Sequence, residues 1–119
     1  MDQETSRQYA FKVDVEERAA FNRAVVANGV SAVTEIRRLV ADFLGNQSRY
    51  GALLKAAGKK RMQEFAVKEV RINAHFDEPT LRRFTVTCQY ANVSVGHVLR
   101  EMVVCYAREH EPESEPVPF

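Results

Sequence analysis

The sequence predicts a mainly α-helical domain carrying one two-stranded antiparallel β-ribbon, arranged as a pseudo-dimer within a single chain. Three observations predict it. A strand–helix–helix pattern occurs twice without a gap, as YAFKVDVEERAAFNRAVVANGVSAVTEIRRLVADFL from Tyr9 to Leu44 and INAHFDEPTLRRFTVTCQYANVSVGHVLREMVVCYA from Ile72 to Ala107. The offset is 63 positions (77 − 14 = 63 for the aspartates, 94 − 31 = 63 for the serines). It superposes Asp14 on Asp77, Phe21 on Phe84, Val30 on Val93, Ser31 on Ser94, Arg37 on Arg100 and Val40 on Val103. Each copy opens on a short alternating segment, the period of a strand with one buried face. A lone strand leaves its backbone N–H and C=O groups without a ladder, so two copies in one chain imply that their strands pair.

The first strand alternates over residues 8–14, with Tyr9, Phe11 and Val13 inward and Gln8, Ala10 and Lys12 outward. Asp14 is placed to cap the following helix, whose first turn carries Glu16 and Glu17 as the helix dipole favours. Phe21, Ala24, Val25 and Asn28 fall at helical spacing, and Asn28-Gly29 ends the helix because both residues tolerate the left-handed conformation. Ser31 caps a second helix with Val33, Ile36, Leu39, Val40 and Phe43 on one face. In the second copy Ile72, Ala74 and Phe76 face inward, and Arg71, Asn73 and His75 face outward. Asp77 caps, Pro79 sits in the first turn where its missing N–H costs nothing, and Leu81, Phe84 and Cys88 form the inner face. Asn92 stands where Gly29 stood, and Ser94 caps a last helix with Leu99, Met102, Val103 and Tyr106 inward.

The expected organisation is one domain over residues 1–109, with units at 7–44 and 69–109 joined by a basic, partly helical linker at 45–68. In the linker Ser48 is a candidate cap, Tyr50, Leu53, Leu54 and Ala57 fall at helical spacing, and Gly58 breaks the helix before Lys59-Lys60-Arg61. Residues 110–119, acidic and proline-rich, are expected to be a disordered tail.

A chain of 119 residues with 45% hydrophobic content can bury one core. The polar, acidic start MDQETSRQ is no secretory signal and no apolar run spans a bilayer, so a cytoplasmic protein is expected, with no membrane partner. Cys88 and Cys105 are far apart and in helices, which reads as buried free thiols. His75, His97 and His110 have no metal-ligand spacing, and no catalytic motif occurs, so neither an enzyme nor a cofactor or metal is expected. Net charge is only +1, and without Glu111, Glu113 and Glu115 of the tail the body is +4 (1 + 3 = 4), with the excess concentrated between the copies.

Strand, helix, turn and helix, with the turn spelled NGVSAVTEI at Asn28, Gly29, Ser31, Glu35 and Ile36, resembles the ribbon-helix-helix family of Arc- and MetJ-like DNA-binding proteins. The likeness covers about two-thirds of the chain when both copies are counted. A tandem, single-chain arrangement is similar to the transfer protein TraY and the T-DNA protein VirC2. The resemblance implies sequence-specific binding of double-stranded DNA, as a plasmid conjugation accessory or a small transcription regulator. The implied partners are DNA, double-stranded ahead of single-stranded, and a relaxase or other transfer or replication proteins.

The family reads bases in the major groove with the outward ribbon residues, which here are Gln8, Ala10, Lys12, Arg71, Asn73 and His75. The same residues equally suit the solvated face of a ribbon. The second set holds guanine and adenine donors that the first largely lacks, so the half-site read by repeat two is expected to be the more stringent. Phosphate is held in this family at the start of each second helix, here Ser31 and Ser94, where ordinary capping explains the serines as well. Repeat two departs from repeat one at His97 for Thr34, Val98 for Glu35 and Glu101 for Arg38. Lys59, Lys60 and Arg61 are candidate phosphate clamps or a solvated charge run. The ending Val117, Pro118, Phe119 after acidic residues is similar to the partner-docking tip of bacterial single-stranded-DNA-binding proteins. It supports an alternative: a single-strand-binding or protein-interaction module on the same fold, whose tail docks replication or repair partners.

Overall fold

Strand β1 (Ser6–Asp14) and strand β2 (Glu69–Asp77) form a two-stranded antiparallel sheet. The computed structural model describes residues 6–59 and 69–110. Both strands run slightly further than the alternation alone requires. The ladder extends from Ser6 opposite Asp77 to Asp14 opposite Glu69, and its middle pair is Ala10–Asn73. Those two positions coincide under the offset of the repeat (73 − 10 = 63). Phe11, Val13, Ile72, Ala74 and Phe76 are buried beneath the ribbon, with Tyr9 and Val70 half-buried beside them.

Two helices follow each strand: α1 (Val15–Ala27) and α2 (Ala32–Gly45), then α4 (Glu78–Tyr90) and α5 (Val95–His110). Every element of the second set begins 63 residues after its counterpart, so cap chemistry recurs at matching positions. Glu17 reaches back to accept the Asp14 N–H at 2.9 Å. Asp77 accepts from the Thr80 N–H at 3.3 Å and the Thr80 hydroxyl at 3.0 Å. The Thr80 hydroxyl bond holds the Asp77 carboxyl below its ordinary range. In the first interhelix turn only Gly29 is left-handed (φ 70°), whereas Asn28 is not. Asn92 takes the matching position with φ 61°, the residue type other than glycine that best tolerates it.

The two sets of helices interleave rather than stand side by side. Helix α1 packs on α5, and α2 on α4. Phe21 of α1 meets Tyr106 of α5 edge-on at 5.5 Å, and Phe84 of α4 meets Phe43 of α2 edge-on at 5.7 Å. These rings close one core with Ile36, Val40, Leu99 and Val103, so neither unit has a core of its own.

The linker differs in detail from the sequence reading. A 3₁₀ turn over Gln47–Tyr50 runs into α3 (Gly51–Lys59), and Asn46, not Ser48, stands at its N-cap. Gly58 lies inside α3 rather than ending it, because Ala57 is buried and Gly58 fits against the α4–α5 turn. Helix α5 includes His110, one residue beyond the expected boundary. Cys88 is buried and burial pushes its thiol up to about 11, while Cys105 is only half-buried, contrary to the expectation for both. Among the described residues no helix is long and apolar enough to cross a membrane.

Candidate functional site

The ribbon places the six outward residues on one face. Gln8, Ala10, Lys12, Arg71 and Asn73 are exposed and His75 is half-buried. Cross-strand pairing sets Gln8 opposite His75, Ala10 opposite Asn73, and Lys12 opposite Arg71. Side chains directly opposite on one face are immediate neighbours. The ladder therefore gives neither repeat an end of the ribbon to itself. One end joins Lys12 of the first strand to Arg71 of the second; the other joins Gln8 to His75. Antiparallel pairing thus mixes residues of the two repeats at each end of the ribbon.

Charge on this face is partly paired. The Lys12 ammonium lies 3.3 Å from the Glu69 carboxylate, with both side chains substantially exposed. Glu69 shares the outward parity of Arg71 and Asn73, so it belongs to the same face. Its position two before Arg71 gives it that parity in the sequence as well. At the ribbon's flank, Arg7 pairs with Glu78 at 3.2 Å.

Ser31 and Ser94 are both exposed and both cap. The Ser31 hydroxyl accepts the Thr34 N–H at 3.1 Å and donates to the Thr34 hydroxyl at 2.9 Å. The Ser94 hydroxyl accepts the His97 N–H at 3.1 Å and lies 2.6 Å from His97 Nδ1. Helix α5 packs against β1, and α2 against β2, so each of these helices flanks the strand of the other repeat. At the α5 start the Tyr9 hydroxyl stands over Gly96, where a Cβ would come within 3.7 Å of it. Burial raises the Tyr9 pKa, with the Gly96 backbone N–H pulling the other way.

Helix α3 makes the two serine sites unequal. With Gln89, Asn92, Val93, Ser94 and His97, its residues Ala57 and Gly58 line an open cavity of about 500 Å³. The chain thus brings α3, which ends at Lys59, alongside the turn that holds Ser94. Lys60, Arg61 and the tail residues Val117, Pro118 and Phe119 lie outside the described residues. The substitutions at the other positions have physical consequences. Glu35, buried in α2, accepts from Arg38 Nε at 2.8 Å, and this bond raises the Arg38 pKa. At the matching places in α5, Val98 is fully buried and apolar, and Glu101 is buried.

Comparison of the chain with models of protein families, with curated proteins and with solved structures found no match in any of the three.

Proposed function

We propose that the chain binds double-stranded DNA sequence-specifically through the outward face of its ribbon, as a tandem ribbon-helix-helix protein whose repeats make one pseudo-dimer. One observation carries the reading: the ladder is centred on Ala10–Asn73, a repeat-equivalent pair, and exposes a row of polar side chains with no covering element among the described residues. A two-stranded ribbon fits the major groove. Lys12 and Arg71 supply donors for guanine O6 and N7, and Asn73 and Gln8 supply the paired donor and acceptor that suit adenine. Flanking helix starts at Ser31 and Ser94 direct backbone N–H groups and positive dipole ends toward phosphate. The role consistent with this is a DNA-transfer accessory, working beside a relaxase, or a small transcription regulator.

The test is a gel-shift of the full chain with double-stranded and single-stranded DNA of random sequence at two salt concentrations. Duplex binding that weakens steeply with salt is expected, since each neutralised phosphate releases counterions. Binding confined to single strands, or none to either, overturns the proposal and favours an interaction module.

A further inference from the structure

The outward face of the ribbon has two chemically different ends, and Glu69 makes one of them more than a cationic patch. Glu69 stands next to Lys12, and Arg71 lies across from Lys12. An ammonium and a carboxylate 3.3 Å apart present a donor beside an acceptor. The major-groove edge of a G·C pair is the complement: guanine O6 accepts, and the neighbouring cytosine N4 amine donates. Arg71 adds a fork of donors suited to guanine O6 and N7 at the same end. At the other end Gln8 faces His75. The Gln8 amide, and the His75 imidazole when neutral, each carry both a donor and an acceptor, and so satisfy several bases.

We propose that Glu69 is a specificity-determining residue that, with Lys12, reads one G·C pair. The Lys12–Arg71–Glu69 end of the ribbon then demands G·C, while the Gln8–His75 end is permissive. This rests on the DNA-binding reading above. It has a consequence that a surface ion pair alone lacks. An exposed pair adds little stability, and a carboxylate close to phosphates weakens binding to all DNA. Removing it has opposite effects on random and preferred duplexes only if it also contacts a base.

The experiment is selection of duplexes from a random library by the full chain, followed by affinity measurements on the selected site and on random duplex. Wild type should recover a motif constrained to G·C at one end and loose at the other. Arg71→Ala and Lys12→Ala should relax that same end. Glu69→Ala should tighten binding to random duplex yet weaken binding to the selected site by roughly 5- to 150-fold, the range for losing one good base contact. It should also abolish the preference for cytosine at the contacted position. If Glu69→Ala tightens both duplexes alike and leaves the motif unchanged, Glu69 is only a counter-charge and this inference fails while duplex binding stands. A motif equally constrained at both ends overturns the polarity. Absence of duplex binding by wild type overturns the underlying reading as well.

Discussion

The seam between α1 and α5 adds polar ties to its ring contact, whereas the equivalent seam between α4 and α2 is closed by rings. In the first, Arg100 holds Glu17 through two hydrogen bonds, Nε to Oε1 at 3.0 Å and Nη2 to Oε2 at 2.9 Å, with the Arg100 side chain only 7% exposed. The Asn28 amide donates to the Tyr106 hydroxyl at 2.8 Å. At the matching positions of the second seam stand exposed Arg37 with Thr80, and Ala91 with Phe43. There Phe43 meets Phe84, and Tyr50 from the linker closes on Phe43 edge-on at 5.2 Å. The repeat preserves backbone positions and the large rings at its centre. It does not preserve the polar chemistry at the edges: Tyr50 of the linker packs edge-on against Phe43, whereas at the matching Tyr106 the His110 imidazole stacks at 4.3 Å.

The largest expected effect probes what the seams share. Phe21 and Phe84 are both fully buried at equivalent positions. Phe21→Ala and Phe84→Ala should each cost about 3–5 kcal/mol, the range for deleting a buried ring and leaving a cavity. Urea unfolding of both variants checks this. A difference of more than about 2 kcal/mol between them, well beyond ordinary context scatter, breaks the equivalence of the two positions.

The next test separates the seams. Glu17→Ala removes the carboxylate bonded to the buried Arg100 guanidinium and should cost about 3 kcal/mol, the lower end for breaking a buried pair because Glu17 is itself partly exposed. Arg37→Ala, at the exposed counterpart of Arg100, should change stability by no more than about 0.5 kcal/mol. Equal costs for the two changes contradict a polar tie confined to one seam. A smaller step follows in Tyr106→Phe, which removes the hydroxyl bonded to Asn28 and makes the first seam resemble the second. Its cost should be about 1 kcal/mol, since the exposed Asn28 amide returns to water.

These contrasts mark how far the sequence could be read. The offset of the repeat, the alternation around Phe11 and Phe76 and the caps at Asp14, Ser31, Asp77 and Ser94 predicted both strands and the four helices of the repeats, because they depend on local spacing and backbone chemistry. The pairing of Lys12 with Arg71 was not legible, since it depends on the direction and register of a ladder formed across the linker. The ion pair of Glu69 with Lys12 was not legible for the same reason, since the two residues are distant in sequence. Buried Glu35, Arg100 and Glu101 lie near the expected apolar stripes, and no pattern of residue types announces a buried charge whose partner sits on another turn or helix. The path of α3 was set by burial of Ala57 and its fit at the α4–α5 turn, which overrode the helix-breaking tendency of Gly58.

The smallest effect concerns Tyr50, the linker's contribution to the ring-closed seam. Its hydroxyl donates to the Asp42 carboxylate, and Asn46 also reaches Asp42 through its side-chain amide at 3.2 Å. Burial first, then the hydrogen bond to Asp42 and its charge, push the Tyr50 pKa from 10.0 up to about 12. The fold thus favours the neutral hydroxyl. That contribution is fully present below 10.0, the ordinary value, and is lost as pH rises through about 12. Tyr50 is only half-buried, so solvent screens much of it, and Tyr50→Phe should cost about 0.5 kcal/mol at neutral pH. Subtracting the alkaline titration of Tyr50→Phe from that of wild type, both followed by tyrosinate absorbance, should leave one transition centred near 12. A difference transition at the ordinary tyrosine value would mean that Tyr50 does not hold Asp42 in solution.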